Sequence, residues 1–439
     1  MEPSLPNPTA LEAGHATVSG SLGSPQDAVP APTPERAGWG LVALYSLSFA
    51  GGSLVLIAPL LVTLALKVDG LVGIEAAPKN LALVTGVGSL LAMVTNPLFG
   101  RLSDRTTSRL GMRRPWMLVG LTGGTIGTLI VAVAPNVGVV LVGWCIAQVF
   151  FNALLAAQVA VLPDQVPVSQ RGTVSGVLGI CQPVASVVGT YLVQAFDGSQ
   201  LTMFLAPCAV GGVFVILFAI RLPDRRLDPT NRPPWSLRQL AGTFYVNPRR
   251  NPDFAWAFVS RFLLIMAYAF LVTYQAYYLL EELGSTKEDV PHQIYFATVL
   301  QSVALIAASP LAGKLSDRIR RRKPFVAVAA VMYAGALLII ATAGGLSGFF
   351  LGMALSGFGF GMYLAVDLAL VVDLLPNTGS VAKDLGVLNI AGALPFAIAP
   401  AIAPMVLAVG GGSYAILYTV AAVCALLGAT AILPVKAVR

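Results

Sequence analysis

The sequence predicts an all-α membrane protein of twelve transmembrane helices in two pseudo-symmetric six-helix bundles. Three observations predict it. The 439 residues are 56% hydrophobic and 11% charged, with mean hydropathy +0.79, where soluble domains carry about a quarter charged residues. The apolar residues fall into long runs, and a hydrocarbon core about 30 Å thick needs about 20 of them per helix. Finally, GRLSDRTTSRLGMRRP at 100–115 returns as GKLSDRIRRRKP at 313–324, each copy after the second run of its half, as an internal repeat requires. Soluble enzymes, secreted disulfide scaffolds and nucleic-acid partners are excluded, despite the net charge of +7.

The elements follow in order. Residues 1–38 hold seven prolines and the single basic residue Arg36, which reads as a disordered cytoplasmic tail and not as a signal peptide. Six spans come next, at 39–66, 80–100, 115–134, 137–162, 172–195 and 200–220, forming an N-terminal bundle over 39–220. The segment 221–253 contains six prolines and seven arginines and reads as a cytoplasmic linker. A C-terminal bundle over 254–435 takes spans 255–280, 293–313, 324–342, 346–372, 386–409 and 413–435, leaving 436–439 as a cytoplasmic tail. With both termini cytoplasmic, Lys67, Lys79 and Lys287 alone face outward and Arg261 lies inside a span, so the basic excess is the positive-inside signal of a cell-membrane protein. Weaker echoes pair LPDQVP (162–167) with VDLLP (372–376), and SGVLGI (175–180) with LGVLNI (385–390).

Several chemistries find no residues. Cys145, Cys181, Cys208 and Cys424 sit in apolar runs without CxxC spacing, and His15 and His292 stand apart in a tail and a short loop. No metal site, cofactor or catalytic group is therefore expected, and without a Walker run no ATP hydrolysis. GFGFG at 357–361 imitates a dinucleotide loop but falls mid-span, where it signals close helix packing. Trp116, Tyr277 and Tyr278 read as interfacial anchors, and Glu281, Glu282, Glu288 and Asp289 as a solvated external loop.

Two six-span halves, a long basic linker and G-x-L-S-D-R between the second and third spans resemble the major facilitator superfamily over about residues 39–435. Within it, NPLFGRLSDRTTSRLGMRRPW (96–116), NALLAAQVAVLPDQVPVSQRGTVSG (152–176) and KDLGVLNIA (383–391) look like the sucrose-transporter and glycoside-pentoside-hexuronide symporter branch. Gln158 and Val159 stand where plant-type sucrose carriers have a basic residue. The resemblance implies alternating access with the central cavity lined by the first, fourth, seventh and tenth spans. It implies a conformational gate of Gly100, Asp104, Arg105, Gly313, Asp317, Arg318, Asp164 and Arg171. Asp104 and Asp317 would approach the N-termini of the eleventh and fifth helices, and the two glycines would sit at crowded crossings.

Ionisable groups inside spans are costly and mark function. Asp367 and Arg261 both lie about 8–10 Å from the cytoplasmic boundary at 1.5 Å per residue, and form a candidate proton-coupling or charge pair. The alternative is a permanent ion pair that only orients helices. Helical spacing groups Arg261, Tyr268 and Gln275 on one span, Ser356, Tyr363 and Asp367 on another, and Gln148 with Asn152 on a third. With Gln182 and Asn389, these make a substrate cavity of aromatic rings and amides suited to sugar-like solutes. The leading expectation is proton-coupled uptake of a sugar or glycoside across the lipid bilayer. A proton-coupled exporter of drugs or secondary metabolites, and a non-transporting sensor, are the alternatives.

Overall fold

The computed structural model describes residues 37–196, 198–228, 230, 251–319, 321–373 and 390–435, helix side chains at 168, 317, 368, 369 and 371–373 aside. Twelve of its helices are long and apolar enough to cross a membrane. They are α1 (Trp39–Val72), α2 (Ala77–Asp104), α3 (Arg114–Val133), α4 (Val137–Gln165), α5 (Val168–Ala195), α6 (Gln200–Arg221), α7 (Pro252–Glu281), α8 (Val290–Ile319), α9 (Lys323–Ala341), α10 (Leu346–Asp373), α11 (Ile390–Val409) and α12 (Tyr414–Ala431).

The packing repeats with a shift of six helices. In the first half α1 packs on α5 and α6, α4 on α2 and α3, and α3 on α6; in the second α7 packs on α11 and α12, α10 on α8 and α9, and α9 on α12. The halves meet through α2 against α11 and α5 against α8, two pairs that the same shift exchanges. That is the contact pattern of a two-fold pseudo-symmetric duplication. The glycine run at 357–361 does pack helices: a Cβ at Gly361 would stand 2.5 Å from the Leu305 carbonyl oxygen, and one at Gly357 would come closer still to that of Gln301. Without side chains the two backbones can touch, which lipid-embedded helices need because hydrocarbon supplies no hydrophobic drive between them.

Helix α1 is not uniform. Residues Pro59–Thr63 form a π turn, in which the Leu64 N–H reaches the Pro59 oxygen five residues back. Proline has no N–H to continue the regular ladder, and the wider turn absorbs the gap. Beyond it the helix runs on to Val72 rather than stopping near residue 66, because its charged residues find protein partners. The Lys67 ammonium donates to the Ala132 carbonyl at 2.8 Å, and Asp69 pairs with Lys287 at 2.5 Å.

Four loop and interface expectations need correction. Tyr277 and Tyr278 are buried, not interfacial; α7 is covered on both sides, and their hydroxyls donate to Ala65 O at 3.1 Å and Ile340 O at 2.5 Å. Trp116 packs on Phe99 at a 56° tilt and donates its indole N–H to Thr106 Oγ1 at 2.7 Å, stapling the α2–α3 turn. Glu282 is not merely solvated, since its carboxylate accepts from Ser413 Oγ at 2.7 Å and from the Ala415 N–H at 3.1 Å, capping α12. Partial burial raises its pKa, but these donors outweigh that and hold it below the usual carboxylate range. His292 lies in the first turn of α8, not in a loop.

Candidate functional site

A cavity of about 180 Å³ lies between the halves, walled by α5, α7, α8, α10 and α11. Gln182 and Ser186 face it from α5, and Tyr268, Gln301, Ser302, Phe360 and Phe396 from the other half. Tyr268 and Phe360 stack at 4.4 Å with a 6° tilt, and Phe396 meets Tyr268 edge-on at 6.1 Å. The result is a flat aromatic wall opposite an amide. Gln301 donates to Ser356 Oγ at 3.0 Å, which fixes its orientation. Of the residues expected to line a cavity, Gln182 and Tyr268 do. Gln301, Ser302 and Phe360 were missed, although two adjacent polar residues in the middle of an apolar span are the kind of signal that marks a solute path.

The charged pair sits two helical turns from Tyr268 on the same helix. Arg261 Nη1 and Asp367 Oδ2 are 2.5 Å apart, and the Tyr363 hydroxyl donates to the other carboxylate oxygen at 2.8 Å. Asp367 is 6% exposed and Tyr363 1%. Tyr363 therefore serves the carboxylate and not the cavity. The Arg261 Nε is buried without a partner, so the guanidinium keeps a hydrogen-bond donor in reserve. Arg261, Ile265 and Tyr268 share one helix face, which runs the charge pair directly into the cavity wall.

The other amides fall elsewhere. Gln148 and Asn152 are buried and bonded to each other at 3.1 Å, and Asn96 Nδ2 donates to Asn152 Oδ1 at 3.3 Å. They tie α4 to α2 rather than line the 180 Å³ cavity. Gln275 is buried against α1, its Nε2 3.5 Å from Leu61 O. Asn389 lies outside the described residues.

At the arginine-rich end the centre is Arg113, one of the five arginines of the 100–115 motif. Its guanidinium meets Asp104 at 2.6 Å, Asp164 at 2.8 Å and Ser103 Oγ at 2.5 Å, while its own N–H donates to Asp224 at 2.7 Å. Burial alone would lower its pKa, but Asp164 and Asp104 outweigh it and hold the pKa raised. Asp104 thus answers to Arg113 in its own half. Arg171 caps the end of α4, donating to Val166 O and Pro163 O at 3.0 Å each. The Arg105 N–H closes α2 on Leu102 O at 3.2 Å, and Arg318 is exposed at the end of α8. Among the described residues, a Cβ at Gly100 would meet nothing within 4 Å, and one at Gly313 only Ala365 Cβ at 3.9 Å. The Asp317 side chain lies outside the described residues, as does the segment before α11.

The lysine-bearing end is held shut by links between the halves. Lys287 meets Asp69, Tyr277 donates to Ala65 O, Gln194 Nε2 and His292 Nδ1 lie 2.9 Å apart, and Tyr191 packs on Tyr295. The Asp69 side chain is fully buried, while Lys287 is 58% exposed.

Twelve apolar helices in two exchangeable sets, meeting at a cavity of aromatic rings and amides with a buried ion pair beside it, define a polytopic membrane protein of the carrier type. The family model described as the Major Facilitator Superfamily matches residues 40–290 and 258–438, and the chain belongs to that superfamily. A triacylglyceride transporter of Mycobacteroides abscessus is 28% identical over 193 residues, which are 42% of this chain and 37% of that protein. The efflux pump aflT of Aspergillus parasiticus is 36% identical over 111 residues, 24% of this chain and 21% of that one. The chain thus spans little more than a third of the first of these curated relatives and about a fifth of the second. The crystal structure of the nucleoside transporter NupG superposes with a TM-score of 0.72, covering 90% of this chain and 99% of that one, at 14% identity. Such a likeness shows the fold alone.

Proposed function

We propose that this chain is a secondary active transporter working by alternating access, coupling the uptake of a small ring-bearing polar solute, a sugar or glycoside, to proton movement. The observation that carries the reading is the Arg261–Asp367–Tyr363 cluster on the same helix faces that wall the cavity. A carboxylate so held takes up a proton only when its partners move. The stacked ring of Tyr268 and the amides of Gln182 and Gln301 supply the apolar face and hydrogen bonds that a sugar ring uses. At about 180 Å³, the cavity is smaller than the roughly 300–1,000 Å³ of drug-sized sites. The sequence's likeness to glycoside symporters supports the same solute class.

A second reading, export of drugs or lipid-like metabolites, draws on the names of the partial relatives and on the apolar Ile265, Leu305 and Leu364 in the cavity wall. The experiment that separates them measures proton movement in proteoliposomes with a pH-sensitive dye, against saccharides, glycosides, cationic drugs and lipids. External alkalinisation with one sugar class is the expected result. Silence with sugars and substrate-dependent proton exchange with drugs would move the protein to the exporter reading.

With the arginine-rich end cytoplasmic, the lysine-bearing end faces outward and the conformation described is closed on that side. Lys287→Ala then strands the Asp69 carboxylate, and opening toward water relieves it. Single cysteines placed along the α1–α7 seam should label several-fold faster from outside in this variant. An unchanged labelling rate would remove the pair from the gate.

A further inference from the structure

A second cavity, of about 350 Å³, opens at the lysine-bearing end and shares no lining residue with the one already described. Its wall on α1 is formed by Thr63, Lys67 and Gly70, which the spacing of four and three residues places on one helix face. Gln200 from α6 and Lys287 and Glu288 from the other half complete it.

Lys67 is only 6% exposed. Its ammonium has three donors and makes two bonds, to Ala132 O at 2.8 Å and Gln200 Oε1 at 3.1 Å. Both acceptors are neutral, and none of the ion pairs among the described residues includes this lysine. A buried ammonium without a counter-charge is expensive. Capping the last turn of α3 at Ala132 is favourable, but it leaves the third proton unused. One turn before it, Thr63 Oγ1 is buried at 2% exposure and has no hydrogen-bond partner at all. Gln200 spends its oxygen on Lys67, which leaves its amide N–H₂ free on the side of Gly70. An ammonium, a hydroxyl and an amide nitrogen thus converge with donors to spare. Among the described residues Glu288 is the one carboxylate lining the cavity, and of its two lysines Lys287 already meets Asp69, which leaves Lys67 as the unpaired charge.

We infer that this cavity is an anion site for a phosphate or carboxylate group, with Lys67 as its charge and Thr63 and Gln200 as its orienting donors. Such a group has the oxygens these donors lack. The source is either the headgroup of an anionic lipid or a soluble organic anion. Because Lys287 and Glu288 cross from the other half to close the wall, the bound anion favours the conformation in which this end is shut. The site does not depend on the solute carried by the central cavity.

The test uses the full chain. Native mass spectrometry counts phosphatidylglycerol against phosphatidylcholine bound per molecule, and thermal melting is followed against glycerol phosphate and citrate. One saturable anion per chain is expected, its affinity weakened about tenfold in Lys67→Gln, as loss of a charge-assisted hydrogen bond implies, and less in Thr63→Val. Saturation by phosphatidylglycerol alone assigns the site to lipid, and saturation by a soluble anion assigns it to solute. Should Lys67→Gln fail to yield monodisperse protein, Thr63→Val decides on its own. Absence of saturable binding of every probe, or affinities unchanged in a folded variant, would overturn the assignment.

Discussion

Asp367→Asn should reduce accumulation of the solute to passive equilibration while leaving counterflow exchange intact. The substitution keeps the shape and an oxygen for the Tyr363 hydroxyl, 2.8 Å away in the native protein, but removes the charge facing Arg261. If the carboxylate exchanges a proton in each cycle, the amide is locked in the neutral half of that cycle. Exchange needs only the loaded carrier to turn back and forth, and so continues. Net concentrative transport must return the empty carrier through the step that Asp367 gates, and therefore stops. A permanent ion pair that only orients α7 against α10 makes a different forecast. Losing it would lower the melting temperature, since Arg261 would keep a buried charge without its partner, yet accumulation would persist in whatever protein stays folded. The ratio of counterflow to accumulation discriminates between the two, and an unchanged ratio would end the coupling role.

Arg113→Gln should do most of its damage to stability and to the rate of conformational exchange. One guanidinium, 5% exposed, serves Asp104 and Asp164, whose side chains are 52% and 25% exposed. Removing it leaves two carboxylates facing each other. Complete burial would make the loss about 3–5 kcal/mol, but water still reaches both acids, and roughly 1–3 kcal/mol is the expected range. Denaturation in mild detergent reads this directly. Because the same residue binds the end of α2, the end of α4 and Asp224 beyond α6, the variant should also change cysteine accessibility along the arginine-rich end. Asp104→Asn alone leaves the bond to Asp164 and should cost less. Equal melting temperatures for wild type and Arg113→Gln would show that the cluster is ornamental.

The spans were legible because hydrocarbon permits little besides long apolar helices, and the duplicated G-x-L-S-D-R motif announced the two-fold pattern. Helix ends were less legible. Charges such as Lys67 and Asp69 looked like exits from the membrane, but each is held by a partner distant in sequence. Tyr277 and Tyr278 looked like anchors for a related reason, since burial on both sides of α7 is set by α1 and α9 and not by local pattern. Within the cavity, helical periodicity found Tyr268 and Gln182 but could not tell which of several polar faces turn inward. Gln148, Asn152 and Gln275 have the same residue types, yet Gln148 and Asn152 bond to each other and to Asn96, and Gln275 turns its Nε2 to Leu61 O on α1. Arg113 was hidden among five arginines of the repeat, and only the fold shows which one is buried.

The α1 end describes how an opening event must begin. Asp69 is sealed from solvent by the closed seam, and its companion Lys287 belongs to the opposite half and is itself largely wet. When the halves part, the carboxylate must exchange one ammonium for several water molecules, and those molecules can arrive only by the path that the parting creates. Hydration and separation are then one cooperative event. Osmotic stress, which withdraws such water without touching the solute, becomes a handle on the cycle of this carrier.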